Sequence, residues 1–258
     1  MPCDHSSITE LPAAAASREQ HSRLYHRYHT ARRYAGEKRV LEIACGAGMG
    51  LGCLAHQAGS VVGGDYTEGL LRLAKEHYGD RIPLVRFDAH NLPFRARAFD
   101  VAVLFEAIYY MRDAGEVVGE CRRVLADDGM LILGSVNSDW AEFTPSLLST
   151  TYFSIPGMRQ LLTNGGFDES RVYGAFPTSA SSLKQKAVSM IRRAAAALHL
   201  VPKTLGGRKL LKRLFYGSLT PLPAEVPEDM AELPPPVALA GDMPNSDYKI
   251  IYYVAPCR

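Results

Sequence analysis

Short apolar runs alternate with stretches of helical periodicity through the first two thirds of the chain, and the first four runs end at an acidic residue. Arg39-Val40-Leu41-Glu42-Ile43 has the composition of a buried strand and spills into a glycine loop, Ala44-Cys45-Gly46-Ala47-Gly48-Met49-Gly50, that opens a helix. Val61-Val62-Gly63-Gly64 forms a second run and ends at Asp65. A third, Val85-Arg86-Phe87, ends at Asp88 and enters the loop from Ala89 and His90 to Phe94. Asp100 to Phe105 has the unbroken apolarity of a parallel strand covered on both faces, and it leads into Glu106-Ala107-Ile108-Tyr109-Tyr110-Met111. Beyond it, Arg122-Arg123 closes a helix, Asp128-Gly129 supplies a turn, and Met130 to Leu133 starts a fifth strand. Pro156 marks a helix start after a loop that includes Thr144 and Ser154, and Tyr248 to Val254 reads as the last strand. Strands and helices in alternation predict an α/β sheet.

The loop after the first run carries the chemistry. Gly46 and Gly48 permit backbone angles and close ligand approach that a side chain would forbid. Asp65, about twenty residues further on, stands where doubly wound folds place a carboxylate against a ribose diol. A nicotinamide dinucleotide and S-adenosylmethionine (SAM) are both held in this way. Dinucleotide folds use G-x-G-x-x-G, and no register fits: Leu51 follows the Gly46 and Gly48 pair, and Ala55 follows Gly50 and Gly52. Glu42 beside the loop would repel a pyrophosphate and suit a sulfonium cofactor that carries an ammonium group. An acid after one strand is commonly a helix cap. Glu42, Asp65, Asp88 and Glu106 at four successive strand ends point to a ligand site, because open α/β sheets bind ligands at the carboxyl ends of their strands.

From about Arg39 to Phe167 the chain resembles the class I SAM-dependent methyltransferases. The resemblance implies a Rossmann-like, doubly wound, seven-stranded, mostly parallel sheet with a helical insertion before the last strand. It also implies SAM as cofactor, with Glu42, Gly46 and Gly48 in the first motif and Ala44 where the earliest glycine often stands. By the same resemblance Asp65 takes the ribose, Tyr66 packs on adenine, Asp88 and Ala89 meet the adenine edge, and Glu106 lines the methionine end. The substrate side is expected from Tyr109, Tyr110, Asn137 and Trp140. Glu106, His90 and Tyr110 are candidate proton acceptors, none singled out by spacing.

Composition fits a soluble enzyme with one large domain: 258 residues, 47% hydrophobic, with a formal net charge of +2. No apolar run is long enough to span a membrane and the start lacks a secretory pattern, so a cytoplasmic location is expected. The five cysteines, Cys3, Cys45, Cys53, Cys121 and Cys257, contain no C-x-x-C pair, and neither a disulfide framework nor a zinc site is indicated. Glu19 to Tyr34 reads as a helix. His26 and His29 lie one turn apart on it but lack a companion ligand, so no metal is assigned. A lid over the cofactor mouth, with Arg32 or Arg33 near the SAM carboxylate, competes with a plain solvated helix.

Charge is uneven. Ser170 to Ala224 holds ten basic residues and no acid, which leaves −8 on the rest of the chain. Val188, Ile191, Ala195 and Leu198 share a helical face there, and Leu210, Leu211, Leu214 and Phe215 form a second. A structural cap, recognition of an anionic or carrier-linked acceptor, and peripheral membrane contact through residues 183–215 all remain open. Aromatics for base stacking are sparse, which argues against nucleic acid. The expected organisation is an N-terminal helical lid (1–36), a SAM-binding core (37–177), a basic and proline-rich insertion (178–246) and a final core strand (247–258). The expected activity is methyl transfer from SAM to an oxygen or nitrogen of a small molecule, such as a sugar or secondary metabolite. A SAM-binding non-catalytic partner protein and a nicotinamide-dependent oxidoreductase are the alternatives.

Overall fold

The computed structural model describes residues 9–146, 148–168, 170–178, 219–228, 233–241 and 243–258. The two helices expected within 183–215, with the membrane and acceptor roles considered for them, lie outside the described residues. No helix among the described residues is long and apolar enough to cross a membrane.

In chain order the elements are β1 (Ala15–Ala16), α1 (Arg18–Arg32), β2 (Arg39–Ile43), α2 (Leu51–Ala55), β3 (Ser60–Asp65), α3 (Glu68–Tyr78) and β4 (Leu84–Arg86). They continue with β5 (Phe99–Phe105), α4 (Ala114–Val124), β6 (Leu125–Val136), α5 (Ile155–Asn164), β7 (Arg171–Pro177), β8 (Thr220–Pro221), β9 (Val237–Leu239) and β10 (Tyr248–Pro256). Local chemistry sets the helix starts. Ser17 and Gln20 form a reciprocal capping box on α1, Asp113 accepts from Gly115 N and Glu116 N at the start of α4, and Ser154 caps α5 ahead of Pro156.

The main sheet runs β4-β3-β2-β5-β6-β10-β7-β9. β4 through β6 are parallel neighbours, whereas β10 is antiparallel to both β6 and β7. The chain winds outward from β2 to β4, then returns to place β5 on the other side of β2. The order therefore reverses between β2 and β5, and a crevice opens at their carboxyl ends. The sheet has eight strands, one more than the seven expected, because Val237–Leu239 of the proline-rich stretch pairs antiparallel with the outer edge of β7.

Both faces are buried. Val40, Leu41, Ile43, Val101 to Leu104 and Leu131 to Leu133 are at most 1% exposed and alternate between two apolar cores on opposite sides of the sheet. Packing is tightest beside the glycines. A Cβ on Gly64 would fall 2.0 Å from the Phe87 ring, which is itself only 7% exposed and has nowhere to go. Gly64→Ala should therefore destabilise the fold by about 1–3 kcal/mol, the usual cost of overpacking, and lower the urea midpoint. An unchanged midpoint would contradict this packing of β3 on Phe87.

Candidate active site

Asp65 sits at the end of β3, and its two carboxylate oxygens divide between two loops. Oδ2 accepts from Gly46 N at 2.9 Å and Oδ1 from Thr67 N at 2.8 Å. The glycine loop is held further by Cys45 N donating to Gly64 O. Gly46 and Gly48 have φ of 59° and 77°, and Ala44 also lies in the left-handed region at 59°. Alanine there costs about 1–2 kcal/mol relative to an ordinary backbone, which explains why glycine suits the position. Gly48 turns away from the crevice: Tyr78 donates to its carbonyl at 2.9 Å, and a Cβ there would meet Ala74 at 2.9 Å. Gly48 shapes the loop from behind.

A cavity of about 660 Å³ opens in the crevice. Of the residues singled out in the sequence, Glu42, Gly46, Asp65, Tyr66, Asp88, Ala89, His90, Glu106, Tyr109 and Tyr110 line it. Asn137 and Trp140 do not. Asn137 is 3% exposed and its side-chain amide donates to Asn245 O and Tyr248 O, tying the end of β6 to the start of β10. Trp140 lies against the cations of Arg23 and Lys249, 5.9 and 5.2 Å from the ring centre.

Glu42 is the least ordinary group in the cavity. It is 1% exposed in the middle of the sheet; Oε1 accepts from Tyr28 OH at 2.6 Å, and Oε2 has no partner among the described residues. Burial pushes its carboxyl up to about 7, against the lowering effects of Tyr28 and the Arg27 charge. Burial likewise raises the carboxyl of Glu106, opposed by Arg27 and by Tyr109 OH, which donates to Oε2 at 2.8 Å. Glu106 adopts a φ of 51°, in the left-handed region, as β5 ends and a short helical turn, Ile108–Tyr110, begins. Tyr109 stacks on Tyr152 at 4.6 Å and lies 4.6 Å from the tilted Tyr110 ring, while Tyr110 OH donates to Ser146 Oγ.

His90 is spoken for at both nitrogens. Nδ1 lies 2.6 Å from Asp88 Oδ1, which accepts from it, and Nε2 accepts from Asp113 N at 3.2 Å. Burial raises the Asp88 carboxyl, but hydrogen bonds from the His90 backbone and ring outweigh it and leave the carboxyl below its usual range. With Nδ1 held by Asp88 and Nε2 by the Asp113 amide, His90 fixes the loop.

Sequence reading offered this helix as a lid at the cofactor mouth but chose Arg32 or Arg33 for the contact, and other residues face the cavity. Gln20, Arg23 and Arg27, spaced i, i+3 and i+7, line the cavity, joined by Tyr28, Thr9 and Glu10. Arg32 and Arg33 lie a turn further on and face a second, smaller pocket with His29 and Pro234 to Pro236. His26 is internal: Nε2 donates to Pro234 O at 3.0 Å, so Nδ1 accepts from Tyr252 OH at 3.1 Å, and burial holds its ring below the usual histidine range. The helical spacing of the arginines was the available signal.

Residues 41–133 match the family described as a methyltransferase domain. A "Probable S-adenosylmethionine-dependent methyltransferase" of Mycolicibacterium smegmatis is 29% identical over 163 residues, covering 61% of this chain and 61% of that one. The phthiotriol/phenolphthiotriol dimycocerosates methyltransferase of Mycobacterium leprae is 36% identical over 124 residues, covering 47% of this chain and 46% of that one. The chain thus spans between about half and three fifths of the length of these curated relatives. A SAM-dependent methyltransferase structure from Thermotoga maritima aligns with a TM-score of 0.58 at 15% identity, over 93% of this chain and 96% of that one, and shows the shared fold. Over residues 41–133 the chain is similar to SAM-dependent methyltransferases, and SAM is the cofactor that this likeness implies. The nicotinamide alternative gains no support from these likenesses.

The residues present fit that cofactor. The orphaned Glu42 oxygen suits an ammonium group, and Asp65 has lone pairs left for hydroxyl donors. Burial favours protonated Glu42, so this group's contribution to stability is present below the ordinary carboxylate range and is lost as pH rises through about 7. Ligand affinity runs the other way, because the ammonium needs the carboxylate. S-Adenosylhomocysteine (SAH) should therefore bind more weakly as pH falls below about 7, and Glu42→Gln should flatten that dependence in calorimetry. Parallel pH profiles for the two proteins would separate Glu42 from the ammonium.

Proposed function

We propose that the protein transfers the methyl group of SAM to an oxygen or nitrogen of a small molecule, with Glu42, Gly46, Asp65, Tyr66, Asp88, Ala89 and the Glu106 backbone holding the cofactor. SAM supplies a methyl group already activated on sulfur. The chain's own task is to align the acceptor, exclude water and take up a proton. One observation carries the reading: the cavity that gathers Glu42, Asp65 and Asp88 also contains the Glu106 and Tyr109 pair.

Glu106 is suited to a hydroxyl acceptor. Its carboxyl is raised by burial toward the working pH, where proton acceptors act best, and Tyr109 OH orients one of its oxygens. As the acceptor's oxygen gains the methyl group, its proton passes to the Glu106 carboxylate. Tyr109, Tyr110, Met111, Leu148 and Thr150 give the acceptor end an apolar and aromatic wall. The named acceptor of the Mycobacterium leprae relative, a phthiotriol dimycocerosate, is a hydroxyl-bearing small molecule, which supports the same class here.

The test is SAH release from SAM across panels of phenols, glycosides and amines. Turnover is expected with at least one panel, and Glu106→Gln should lower kcat for a hydroxyl acceptor by about 100-fold with little change in the KM for SAM. Full kcat in that variant would remove Glu106 as the proton acceptor, and no turnover with any panel would contradict the assignment.

A further inference from the structure

β10 brings to the cavity a tyrosine that holding the cofactor does not account for. Tyr252 is 2% exposed, lines the cavity, and stands in one row of the sheet with Gly134 of β6 and Phe105 of β5, at the level where β5 ends and Glu106 follows. Gly134 makes room for it: a Cβ there would lie 2.8 Å from Phe105 Cδ1 and 3.0 Å from both Cδ1 and Cε1 of Tyr252. The Phe105 and Tyr252 rings meet edge to face with centres 6.2 Å apart. The residues proposed to hold the cofactor belong to the ends of β4, β3, β2 and β5, and β10 lies two strands beyond β5 in the sheet order. Tyr252 therefore belongs to the wall past Glu106, on the side away from Asp88.

The hydroxyl of Tyr252 has a fixed direction. Pro234 O can only accept, so the His26 Nε2 that lies 3.0 Å from it carries the ring proton, and Nδ1, 3.1 Å from Tyr252 OH, is left to accept. Burial holds the His26 ring below the usual histidine range and so in this neutral form. The His26 and Tyr252 rings stack at 5.5 Å, and Phe176 meets His26 edge-on at 5.2 Å, which keeps the pair in register. Tyr252 thus donates to a histidine behind the wall, one that lines the smaller pocket and not the cavity. Tyr28 and Tyr109 differ, because they donate to Glu42 and Glu106 themselves. With its proton committed to His26, the Tyr252 oxygen can offer the cavity a lone pair and nothing else, and burial together with the Glu106 charge keeps the phenol from ionising.

We propose that Tyr252 accepts a hydrogen bond from the substrate, and that it selects molecules carrying a second hydroxyl or N–H beside the hydroxyl that is methylated. This rests on the methyl-transfer reading of the cavity. Glu106 takes the proton of the reacting hydroxyl, while the neighbouring donor bonds to the Tyr252 oxygen and turns the reacting oxygen toward the methyl group. His26 is a positioning residue that acts through Tyr252. Because Pro234 O fixes the His26 tautomer, the proline-rich stretch sets the polarity of a group that lines the cavity. A substrate with the reacting hydroxyl alone leaves the buried Tyr252 oxygen without its donor.

Paired substrates isolate the second donor: catechol against phenol, and a cyclic vicinal diol against the corresponding single alcohol, each with SAM and with SAH release as the readout. Wild type should show a kcat/KM about tenfold or more higher for the member with two hydroxyls. Tyr252→Phe, which keeps the ring, should lower that value about tenfold and leave the single-hydroxyl member and the KM for SAM within about twofold of wild type. NMR of the imidazole nitrogens in wild type should find the His26 proton on Nε2 and a bare Nδ1. Equal turnover of the paired substrates by wild type, an equal loss for both in Tyr252→Phe, or a neutral His26 with its proton on Nδ1 would overturn the selection while leaving the methyl-transfer reading intact. No turnover of either member of any pair would overturn both.

Discussion

The carboxylate of Asp65 organises this fold. One oxygen holds the Gly46 amide and the other holds the Thr67 amide, so a single side chain sets the distance between the loop leaving β2 and the turn leaving β3. Hydrogen bonds to a charged acceptor in a site only 7% exposed are worth more than neutral ones, and few other groups could span two loops at once. The left-handed backbone at Ala44, Gly46 and Gly48 is kept in place by this tie, by Tyr78 bonding Gly48 O and Gly52 N, and by Tyr28 filling the space over Gly50.

With the loop fixed, the reversal of strand order between β2 and β5 supplies the crevice, and the acids at the strand ends supply its character. Glu42 and Glu106 belong to neighbouring strands, and both are pushed toward protonation by burial. An uncompensated carboxylate in a sheet interior is destabilising, and Tyr28 satisfies only half of Glu42. Glu42 lines the cavity, where a positively charged ligand group would complete it.

Much of the cavity's strand-end lining was legible in the sequence because it is local. A strand, its terminal acid and the following loop are contiguous, so Glu42, Asp65, Asp88 and Glu106 could be placed from the alternation alone. The rest of the cavity was less legible because it is assembled across the chain. Tyr252 comes from β10, 226 residues from its partner His26, and Arg27 enters through the phase of α1, whose helical face is fixed only by docking. Asn137 and Trp140 follow a strand end just as Glu106 does. There, however, antiparallel β10 lies beside β6 and captures the Asn137 amide, turning it into a strand-to-strand tie. The eighth strand escaped notice for a related reason: Val237–Leu239 is too short, and too close to prolines, to announce itself without the β7 edge that it pairs with.

The account stands or falls on Asp65 serving both the loop and a nucleoside. Calorimetric titration of wild type and Asp65→Ala with SAH, with NADH in parallel, tests this most directly. The predicted result is binding of SAH and not NADH by wild type, with affinity for SAH reduced about tenfold or more in the variant, as expected for the loss of hydrogen bonds to a charged group. Equal SAH affinity in the two proteins, or binding of NADH in place of SAH, would contradict it.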